Sequence, residues 1–465
     1  MAPTEQNLAS SDAVARDTAL DLLERLYASY ADPKTLVQRG GRICDVTSTG
    51  YRVRGMSAGS RLGDIVEHRG ANGAKRGEIV RITSDEVTIS PFERSDDAGV
   101  GEAVVNIGSL ILAPTENWRG RSIDALGRAI DGGTPLIGTD ARSAQSATPG
   151  ALSRERVGTG FATGVKVIDI FTPICFGQRL GIFAGSGVGK STLLAMLASA
   201  EAFDTVVVAL IGERGREVRE FLEDTIGQAM AKTVAVVATS DESPMMRKRA
   251  PETAMRVAEH FRDKGHRVLI VLDSITRYAH ALREVATTAG EAPVARGYPA
   301  SVFTELPRLL ERAGPGKAGS GSITAIISVL VDGDDHNDPV ADSVRGILDG
   351  HIVLDRAIAE QGRYPPVNPL ASISRLASKV WSDDQRVLVT RLKSMISRFE
   401  DTRDIRLLGG YQPGADAELD AAVRQVPAIY DALTQTPTDK PSVDAFGDLA
   451  RHLKGRDRSD AAHQS

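Results

Sequence analysis

The chain has 465 residues, of which 42% are hydrophobic and 25% are charged, and its formal net charge is -5. This composition is typical of a soluble globular protein, and the length predicts two or three domains. No apolar run approaches the roughly 18 residues that cross a bilayer, so a membrane span is excluded. The acidic balance gives no overall attraction for nucleic acid, and we expect no nucleic-acid partner.

Residues 1–35 predict a helix that could dock a partner. Residues 12–30, "DAVARDTALDLLERLYASY", repeat apolar side chains at helical spacing behind Asp12, a candidate N-cap. Such a helix packs on its own domain or binds another protein, and the pattern leaves both open. A secretory signal is not expected, because no basic segment precedes an apolar core. Cys44 and Cys175 lack disulfide or zinc-site spacing, which fits a cytoplasmic protein.

Residues 36–115 predict a small β-barrel. Short segments such as "YRVRGM", "GEIVRIT" and "EVTISPF" alternate in polarity and are separated by Gly, Asn, Asp and Ser. A barrel that binds oligonucleotides would need aromatic residues on one face to stack on bases. Tyr51 and Phe92 are the main aromatics here, so a structural or oligomerising barrel is favoured.

Residues 116–380 predict an α/β domain. Continuous apolar runs such as "RLGIFAG", "TVVVALIG" and "RVLIVLDS" alternate with helical patterns such as "PETAMRVAEHFRDKG". Strands that are apolar throughout are buried on both faces, so we expect a mainly parallel sheet flanked by helices. A ligand site is then expected at the carboxyl ends of those strands.

The rest of the chain predicts helices. Residues 381–440 form a helical C-terminal domain, in which the pattern "ADAELDAAVRQVPAIYDALTQ" is interrupted by Pro427. Residues 441–465 are interpreted as a polar, partly disordered tail.

The segment "AGSGVGKST" predicts a phosphate-binding loop. It follows the strand pattern "RLGIF" and opens the helix pattern "KSTLLAMLA", the context in which G-x-x-x-x-G-K-[ST] is credible. Backbone N–H groups of the glycines converge on phosphate oxygens, Lys190 would reach the β and γ phosphates, and Ser191 would ligate Mg²⁺. Ala184 stands where the pattern has its first glycine, but a strand end needs none. The candidate ATP-binding residues of the loop are Ala184, Gly185, Ser186, Gly187, Val188, Gly189, Lys190, Ser191 and Thr192.

Two acidic residues follow predicted strands of the same domain. Asp273 ends "RVLIVLD", the position of an acidic residue that holds Mg²⁺ directly or through water, although it could also cap the next helix. Glu213 follows "VVVALIG" and would project into the crevice beside the phosphate loop, where a carboxylate can orient the attacking water. An ion pair with Arg214 or Arg216 is the alternative role for Glu213.

The segment "PPVNPLASIS", residues 365–374, resembles the signature of the rotary ATPase α and β subunits. "GERGREVREF", "DSITRYAHALRE" and "GDDHNDPVAD" fill the intervals expected in that family. Within it, "RGYPASVF" is similar to the export ATPases of flagella and injectisomes, and "GGYQPGADAELDAAVRQVPAI" is more similar to the flagellar branch. The resemblance implies a RecA-like P-loop ATPase core with a mainly parallel sheet, preceded by the barrel and followed by the helical domain.

The resemblance also implies roles for individual residues. Glu213 would be the catalytic carboxylate, Tyr364 in "QGRYPP" would pack against adenine, and Arg375 would be an arginine finger that reaches the nucleotide of the neighbouring subunit. Tyr364 could instead be a core residue, and Arg375 could bridge to an acidic neighbour. Tyr411 is a further candidate for the adenine side, although a tyrosine between glycines can simply close a turn.

By resemblance, the chain is a Mg-ATP hydrolase that works as a homohexamer. Implied partners are a dimeric regulatory or stator protein at the N-terminal helix and a coiled-coil stalk protein near the C-terminal domain. The other implied partners are export chaperones, their substrates and the export gate at the membrane. The implied location is cytoplasmic, peripheral to the inner-membrane export apparatus.

The sequence leaves four alternative functions to be weighed against a flagellar export ATPase. An injectisome ATPase has the same chemistry and serves a different apparatus. A proton-translocating catalytic subunit normally shares its ring with a second paralogous chain. An RNA-dependent ring helicase shares the ATPase core but would need an RNA-binding barrel. An inactive interaction subunit is disfavoured because Lys190, Glu213, Asp273 and Arg375 are all present.

Overall fold

The computed structural model describes residues 39–70, 73–93, 98–136, 142–143, 149–331 and 338–463. The chain divides into two compact units, the first ending at Ser109 and the second beginning at Leu110. The helix predicted at residues 12–30 lies outside the described residues. In the described part of the chain, no helix combines the length and apolarity needed to cross a membrane.

The first unit is a closed antiparallel barrel, which confirms the prediction from its alternating segments. Its strands are β1 (Gly40–Val46), β2 (Tyr51–Arg54), β3 (Asp64–Gly70), β4 (Gly73–Ile82), β5 (Glu86–Pro91) and β6 (Ala103–Ser109). They pair in the order β1-β2-β5-β4-β3-β6, and Val53, Val66 and Val87 lie fully buried in its core. Tyr51 and Phe92 are buried as well, so neither ring is available to stack on a base.

The second unit contains the remaining strands, most of which form one sheet. They are β7 (Ile111–Leu112), β8 (Arg121–Asp124), β9 (Arg142–Ser143), β10 (Gly160–Phe161), β11 (Ile174–Cys175), β12 (Arg179–Ala184), β13 (Thr205–Ile211), β14 (Thr233–Ala238), β15 (Arg267–Asp273), β16 (Pro293–Ala295), β17 (Tyr298–Pro299), β18 (Gly314–Pro315), β19 (Ser322–Leu330), β20 (Gly350–Leu354) and β21 (Ile373–Ser374). The large sheet has the order β21-β20-β12-β19-β15-β13-β14-β8, with β18 beside β19. All its pairings are parallel except those of β18 and β21.

Helices cover this sheet and complete the unit. They are α1 (Lys166–Phe171), α2 (Lys190–Ala198), α3 (Gly215–Glu220), α4 (Pro244–Asp263), α5 (Ile275–Thr288), α6 (Ala300–Leu310), α7 (Pro339–Ile347), α8 (Arg356–Glu360), α9 (Asp383–Asp401), α10 (Arg403–Leu407), α11 (Ala417–Leu433) and α12 (Ala445–His463). Helix α4 packs against β13, β14 and β15, and α5 packs against β19. Every residue of β13 and β14 is buried, so these strands are covered on both faces, as their continuous apolar runs predict.

The parallel register brings the carboxyl ends of the central strands to one edge of the sheet. Ala184, the last residue of β12, pairs with Leu330 of β19 and Leu354 of β20. Asp273, the last residue of β15, pairs with Leu210 of β13. The chain segments that follow β12, β13 and β15 consequently lie at the same edge, where ligand sites of parallel sheets form.

The C-terminal helices differ from the sequence prediction at two places. Pro427 lies inside α11 without ending it; the backbone hydrogen bond that proline removes is offset by packing of its buried neighbours Val426 and Ala428. The predicted tail at 441–465 instead contains α12, which packs on α11 and α1. Ala445 and Leu449 are buried there, and this tertiary contact overrides the polar composition of the segment.

The central sheet predicts a large loss of stability when its core is truncated. Ile326 of β19 is 1% exposed, so Ile326→Ala should lower the free energy of unfolding by about 2–5 kcal/mol through lost burial and a residual cavity. Urea denaturation followed by circular dichroism measures this change in the free energy of unfolding. Val387→Ala, at a side chain that is 70% exposed, is the control and should change stability by less than about 0.5 kcal/mol; equal losses for the two variants would contradict the assignment of the core.

Candidate active site

The phosphate loop joins β12 to α2 with the backbone geometry that its sequence predicts. Gly187 and Gly189 have φ angles of 76° and 96°, which residues with a side chain rarely adopt. Gly189 is the N-cap of α2, so the loop ends where free N–H groups of a helix bind anions. Ala184 belongs to β12 and has no positive φ. An alanine is therefore accommodated without backbone strain.

The loop is anchored on one side and open on the other. Val188 is buried in the core of the second unit, and Gly185 is half-buried. Ser186, Ser191 and Thr192 are exposed. The anchored valine fixes the loop while its polar edge stays accessible to a phosphate chain.

Three of the predicted site residues meet at this loop. Lys190, the first residue of α2, donates a hydrogen bond from Nζ to Asp273 Oδ1, and its Nζ lies 3.7 Å from Glu213 Oε1. Arg277 of α5 joins them, because its Nη2 lies 3.2 Å from Glu213 Oε2. Arg277 also donates to the carbonyl oxygen of Gly212. Two cations and two carboxylates from α2, the loop after β13, β15 and α5 thus form one cluster.

The charges of this cluster act on Glu213 in opposite directions. Burial raises the pKa of the Glu213 carboxyl above its ordinary value, and the nearby Asp273 carboxylate raises that pKa further. Lys190 and Arg277 lower it by favouring the charged form. A carboxyl whose pKa is shifted toward neutrality is suited to accept a proton or polarise a water molecule.

A cavity of about 180 Å³ opens beside the cluster. Ser191, Glu213 and Asp273 line it together with residues of α3 and the π-helical turn Phe221–Ile226. The hydroxyl of Ser191 and the carboxylate of Asp273 are hard oxygen donors of the kind that Mg²⁺ prefers. The residues present therefore fit a magnesium ion that arrives with a nucleotide.

Tyr364 lies beside the end of the phosphate loop. A Cβ atom placed on Gly189 would be 3.9 Å from Tyr364 Cε1 and 3.7 Å from Pro366 Cδ. The tyrosine side chain is 45% exposed, so it is not a core residue. Its ring is available for an aromatic group bound next to the loop.

Arg375 lies at the opposite end of β12 from the phosphate loop. Its backbone N–H donates to the carbonyl of Asp349, whose own N–H donates to the carbonyl of Arg179, the first residue of β12. Five residue steps separate Arg179 from Ala184, about 16 Å at 3.3 Å per residue. The Arg375 side chain is exposed and has no ion pair with any residue in the described ranges. Arg375 is therefore not brought to the loop of its own subunit.

Tyr411 has a local role in the structure. Its hydroxyl donates a 2.6 Å hydrogen bond to Asp420 Oδ1, and Gly414 N–H donates to the other carboxylate oxygen of Asp420. These bonds close the loop onto the first turns of α11, which is the alternative that the sequence left open.

Two residues of the site were missed by the sequence analysis. Arg277 belongs to the motif "DSITRYAHALRE" and lies in the first turn of α5, four residues after Asp273, a proximity that could have indicated it. Arg356, the first residue of α8, donates from Nη2 to the carbonyl oxygen of Ser186 at 3.2 Å. No local signal marks Arg356, because its contact spans 170 residues of sequence.

Comparison with known proteins agrees with this geometry. Residues 164–374 match the model of the ATP synthase alpha/beta family, nucleotide-binding domain, and residues 381–449 match the T3SS EscN ATPase C-terminal domain. The flagellum-specific ATP synthase of Rhizobium meliloti is 61% identical over 96% of this chain and 96% of its own length. The chain belongs to the flagellum-specific ATP synthase family. It is an ATP hydrolase of the ATP synthase alpha/beta type, which confirms the resemblance seen in the sequence.

Two solved structures show the same fold. The assembled ATPase EscN of the enteropathogenic E. coli type III secretion system has a TM-score of 0.83 and 38% identity, with 89% of this chain and 100% of that chain covered. EscN in complex with its central stalk EscO has a TM-score of 0.81 and 37% identity, with the same coverage. The flagellar assignment is better supported than the injectisome assignment, because the identity to the flagellar relative is much higher.

The charge balance at Glu213 predicts how activity depends on pH. Arg277→Met removes a cation that stabilises the charged carboxylate, so the pKa of Glu213 should rise further. Turnover that needs the carboxylate will then fail at a higher pH on acidification, and the acidic limb of the kcat profile should move to higher pH. Arg277→Lys keeps a positive charge and should shift the limb less. An acidic limb that stays in place in Arg277→Met would contradict the proposed role of this ion pair.

Proposed function

We propose that this ATPase acts as a homohexameric ring in which each active site is shared by two neighbouring subunits, and that the ring assists protein export through the flagellar apparatus. The observation that carries the proposal is the position of Arg375. It lies at the far end of β12 from its own phosphate loop, with an exposed side chain that has no ion-pair partner in the described part of the chain. A second copy of the chain would bring that guanidinium to a nucleotide.

Within one subunit, the phosphate loop and Lys190 bind the β and γ phosphates of ATP. The ammonium then exchanges its contact with Asp273 for phosphate oxygens, which frees the Asp273 carboxylate. Mg²⁺ held by Ser191 and Asp273, directly or through water, would neutralise charge on the phosphates. Glu213, desolvated and next to Asp273, orients the attacking water and accepts hydrogen bonds from it. Arg277 keeps that carboxylate charged and in place.

The base of the nucleotide lies on the side of Tyr364. A Cβ atom placed on Gly189, the N-cap of α2, would be 3.9 Å from its ring, and stacking on an aromatic ring is a sequence-tolerant way to bind a purine. The position explains why a half-exposed tyrosine borders an otherwise polar site.

Arg375 of the neighbouring subunit completes the site by stabilising the charge that develops on the transferred phosphoryl group. Arginine fingers contribute about 10³–10⁵-fold to the rate in other phosphoryl-transfer enzymes. Since every copy of this chain carries both halves, all sites of a ring made from one chain are competent.

Further partners follow from the family. EscN is described in complex with a central stalk protein, and a coiled-coil stalk is proposed for the ring formed here. A dimeric regulatory protein at the N-terminal segment, export chaperones with their substrates, and the export gate are proposed as the other partners. Together they would place a cytoplasmic ring at the inner-membrane export apparatus.

The shared site predicts complementation between two inactive variants. Lys190→Ala destroys the phosphate site and keeps the finger, whereas Arg375→Ala keeps the phosphate site and loses the finger. Each should lose turnover alone, Arg375→Ala by about 10³-fold or more. Mixed rings should recover activity, because some sites pair an intact loop with an intact finger. Steady-state ATPase assays on mixed, reassembled protein measure the recovery.

The control for this experiment carries both changes in one chain. Arg375→Ala mixed with Lys190→Ala/Arg375→Ala contains no intact finger and should show no recovery. If Arg375→Ala alone retains full turnover, or if mixing with Lys190→Ala restores nothing, the shared site is wrong.

The export role predicts a specific defect in cells. A strain that lacks this chain should be non-motile, and expression of Lys190→Ala should not restore motility. Secretion by a virulence injectisome should continue in the same strain. The reverse result, intact motility with lost injectisome secretion, would support the injectisome alternative.

A further inference from the structure

Gln178 is a fully buried polar residue, 0% exposed, that directly precedes β12. Its Oε1 accepts a 2.9 Å hydrogen bond from the N–H of Cys175. Its Nε2 donates to Ser374 Oγ at 3.0 Å and to the carbonyl oxygen of Asp349 at 3.2 Å. Both N–H donors and the carbonyl oxygen of this amide are therefore engaged. One donor reaches the residue before Arg375, and the other reaches the carbonyl that also accepts the Arg375 N–H.

The two groups that accept hydrogen bonds from Gln178 both restrain the backbone of Arg375. Ser374 is its immediate neighbour in sequence, and the carbonyl of Asp349 also accepts the Arg375 N–H at 2.9 Å. Ser374 is 7% exposed, and its hydroxyl donates onward to the carbonyl of Pro173 at 2.8 Å. The strand β21, the last in the chain, thus ends in a network of hydrogen bonds. These bonds restrict the position of the Arg375 Cα atom.

Asp349 is fixed in turn by the first residue of β12. Its Oδ2 accepts the backbone N–H of Arg179 at 3.0 Å and lies 3.4 Å from Arg179 Nε. The strand β12 therefore leads into the phosphate loop at its carboxyl end. At its amino end it is bonded to Asp349, whose carbonyl accepts the N–H of Arg375.

This network determines where the Arg375 side chain begins. The guanidinium of Arg375 has no side-chain partner in the described residues, so its position depends on where its backbone is held. A long exposed side chain samples many rotamers, and only the anchored Cα limits the volume that it reaches. A finger displaced by about 1 Å can lose a factor of about 10² in rate.

We propose that Gln178 is the positioning residue of the Arg375 finger, acting through Ser374 and the carbonyl of Asp349 on the active site of the neighbouring subunit. The proposal rests on the shared site described above. Gln178 touches neither nucleotide nor reacting atoms, and its contribution is to hold the finger where it meets the neighbouring phosphates.

The test places the change in a subunit that only donates a finger. Lys190→Ala subunits cannot turn over ATP, so any effect of a second change in them on a mixed ring must act through what they present to a neighbour. Arg375→Ala subunits are mixed with Lys190→Ala/Gln178→Met subunits, and the recovered turnover is compared with that given by Lys190→Ala alone. Recovery should be about 10- to 100-fold lower, with an unchanged KM for MgATP.

A matched buried glutamine provides the control. Gln435 is 2% exposed, accepts from the N–H of Lys166 and donates to the carbonyl of Gly164, so Gln435→Met also removes buried amide hydrogen bonds. Lys190→Ala/Gln435→Met should rescue Arg375→Ala as well as Lys190→Ala does. Size-exclusion chromatography establishes that both donors enter rings. If Gln178→Met does not fold, Ser374→Ala, which removes only the hydroxyl between Gln178 and Pro173, is measured in the same way.

The outcomes separate this inference from the proposed function. If Lys190→Ala itself fails to rescue Arg375→Ala, the shared site fails and Gln178 loses its role with it. If Lys190→Ala rescues but the Gln178→Met donor rescues equally well, the shared site stands and the positioning role is overturned. Equal losses with the Gln178→Met and Gln435→Met donors would also overturn it, since the effect would then be one of general stability.

Discussion

The pairing of β12 with β19 on one edge and β20 on the other is the constraint on which this ATPase depends. Because β12 is held by parallel partners on both sides, its two ends are fixed relative to each other. The phosphate loop leaves its carboxyl end, and the segment of Arg375 is bonded to its amino end through Asp349. A single strand held on both sides therefore sets the separation between the phosphate loop and Arg375, and it is this separation that leads us to propose a site shared by two subunits.

The charged cluster at the carboxyl edge of the sheet compensates its own buried charges. Lys190 would be costly to desolvate alone, but Asp273 and Glu213 compensate its charge, and Arg277 compensates theirs. Under the proposed function, a phosphate chain would offer Lys190 further acceptors and would leave the carboxylates free for a metal ion and water. Under the proposed function, the side chains that balance one another here also form the catalytic site. Burial raises the pKa of Glu213, and the neighbouring Asp273 carboxylate raises it further.

Local patterns in the sequence predicted the barrel, the parallel sheet and the phosphate loop, because alternation, continuous apolar runs and glycine spacing are properties of neighbouring residues. Glu213 and Asp273 could be placed at the site because both follow strands whose carboxyl ends share an edge. The contact of Arg356 with the phosphate loop could not be predicted, and neither could the contact of Gln178 with Ser374, since these partners lie 170 and 196 residues apart in sequence. Pro427 and the segment after residue 441 were misread for the converse reason: a local helix-breaking or polar signal was overridden by burial of Val426, Ala428, Ala445 and Leu449.

The hydrogen bonds around Gln178 restrain the backbone position of Arg375 more than they add to stability. A buried amide that satisfies all its hydrogen bonds contributes little net stability, because folding exchanges water partners for protein partners. A fully satisfied network nevertheless penalises every displaced arrangement, since displacement leaves a buried donor or acceptor unpaired. Under the proposed function Arg375 needs that kind of restraint, because its target would lie on another subunit and no side chain among the described residues pairs with its guanidinium. The hydrogen bonds at the amino end of β12 would thus give the proposed finger a fixed position, as the glycines and the anchored Val188 do for the phosphate loop at the other end.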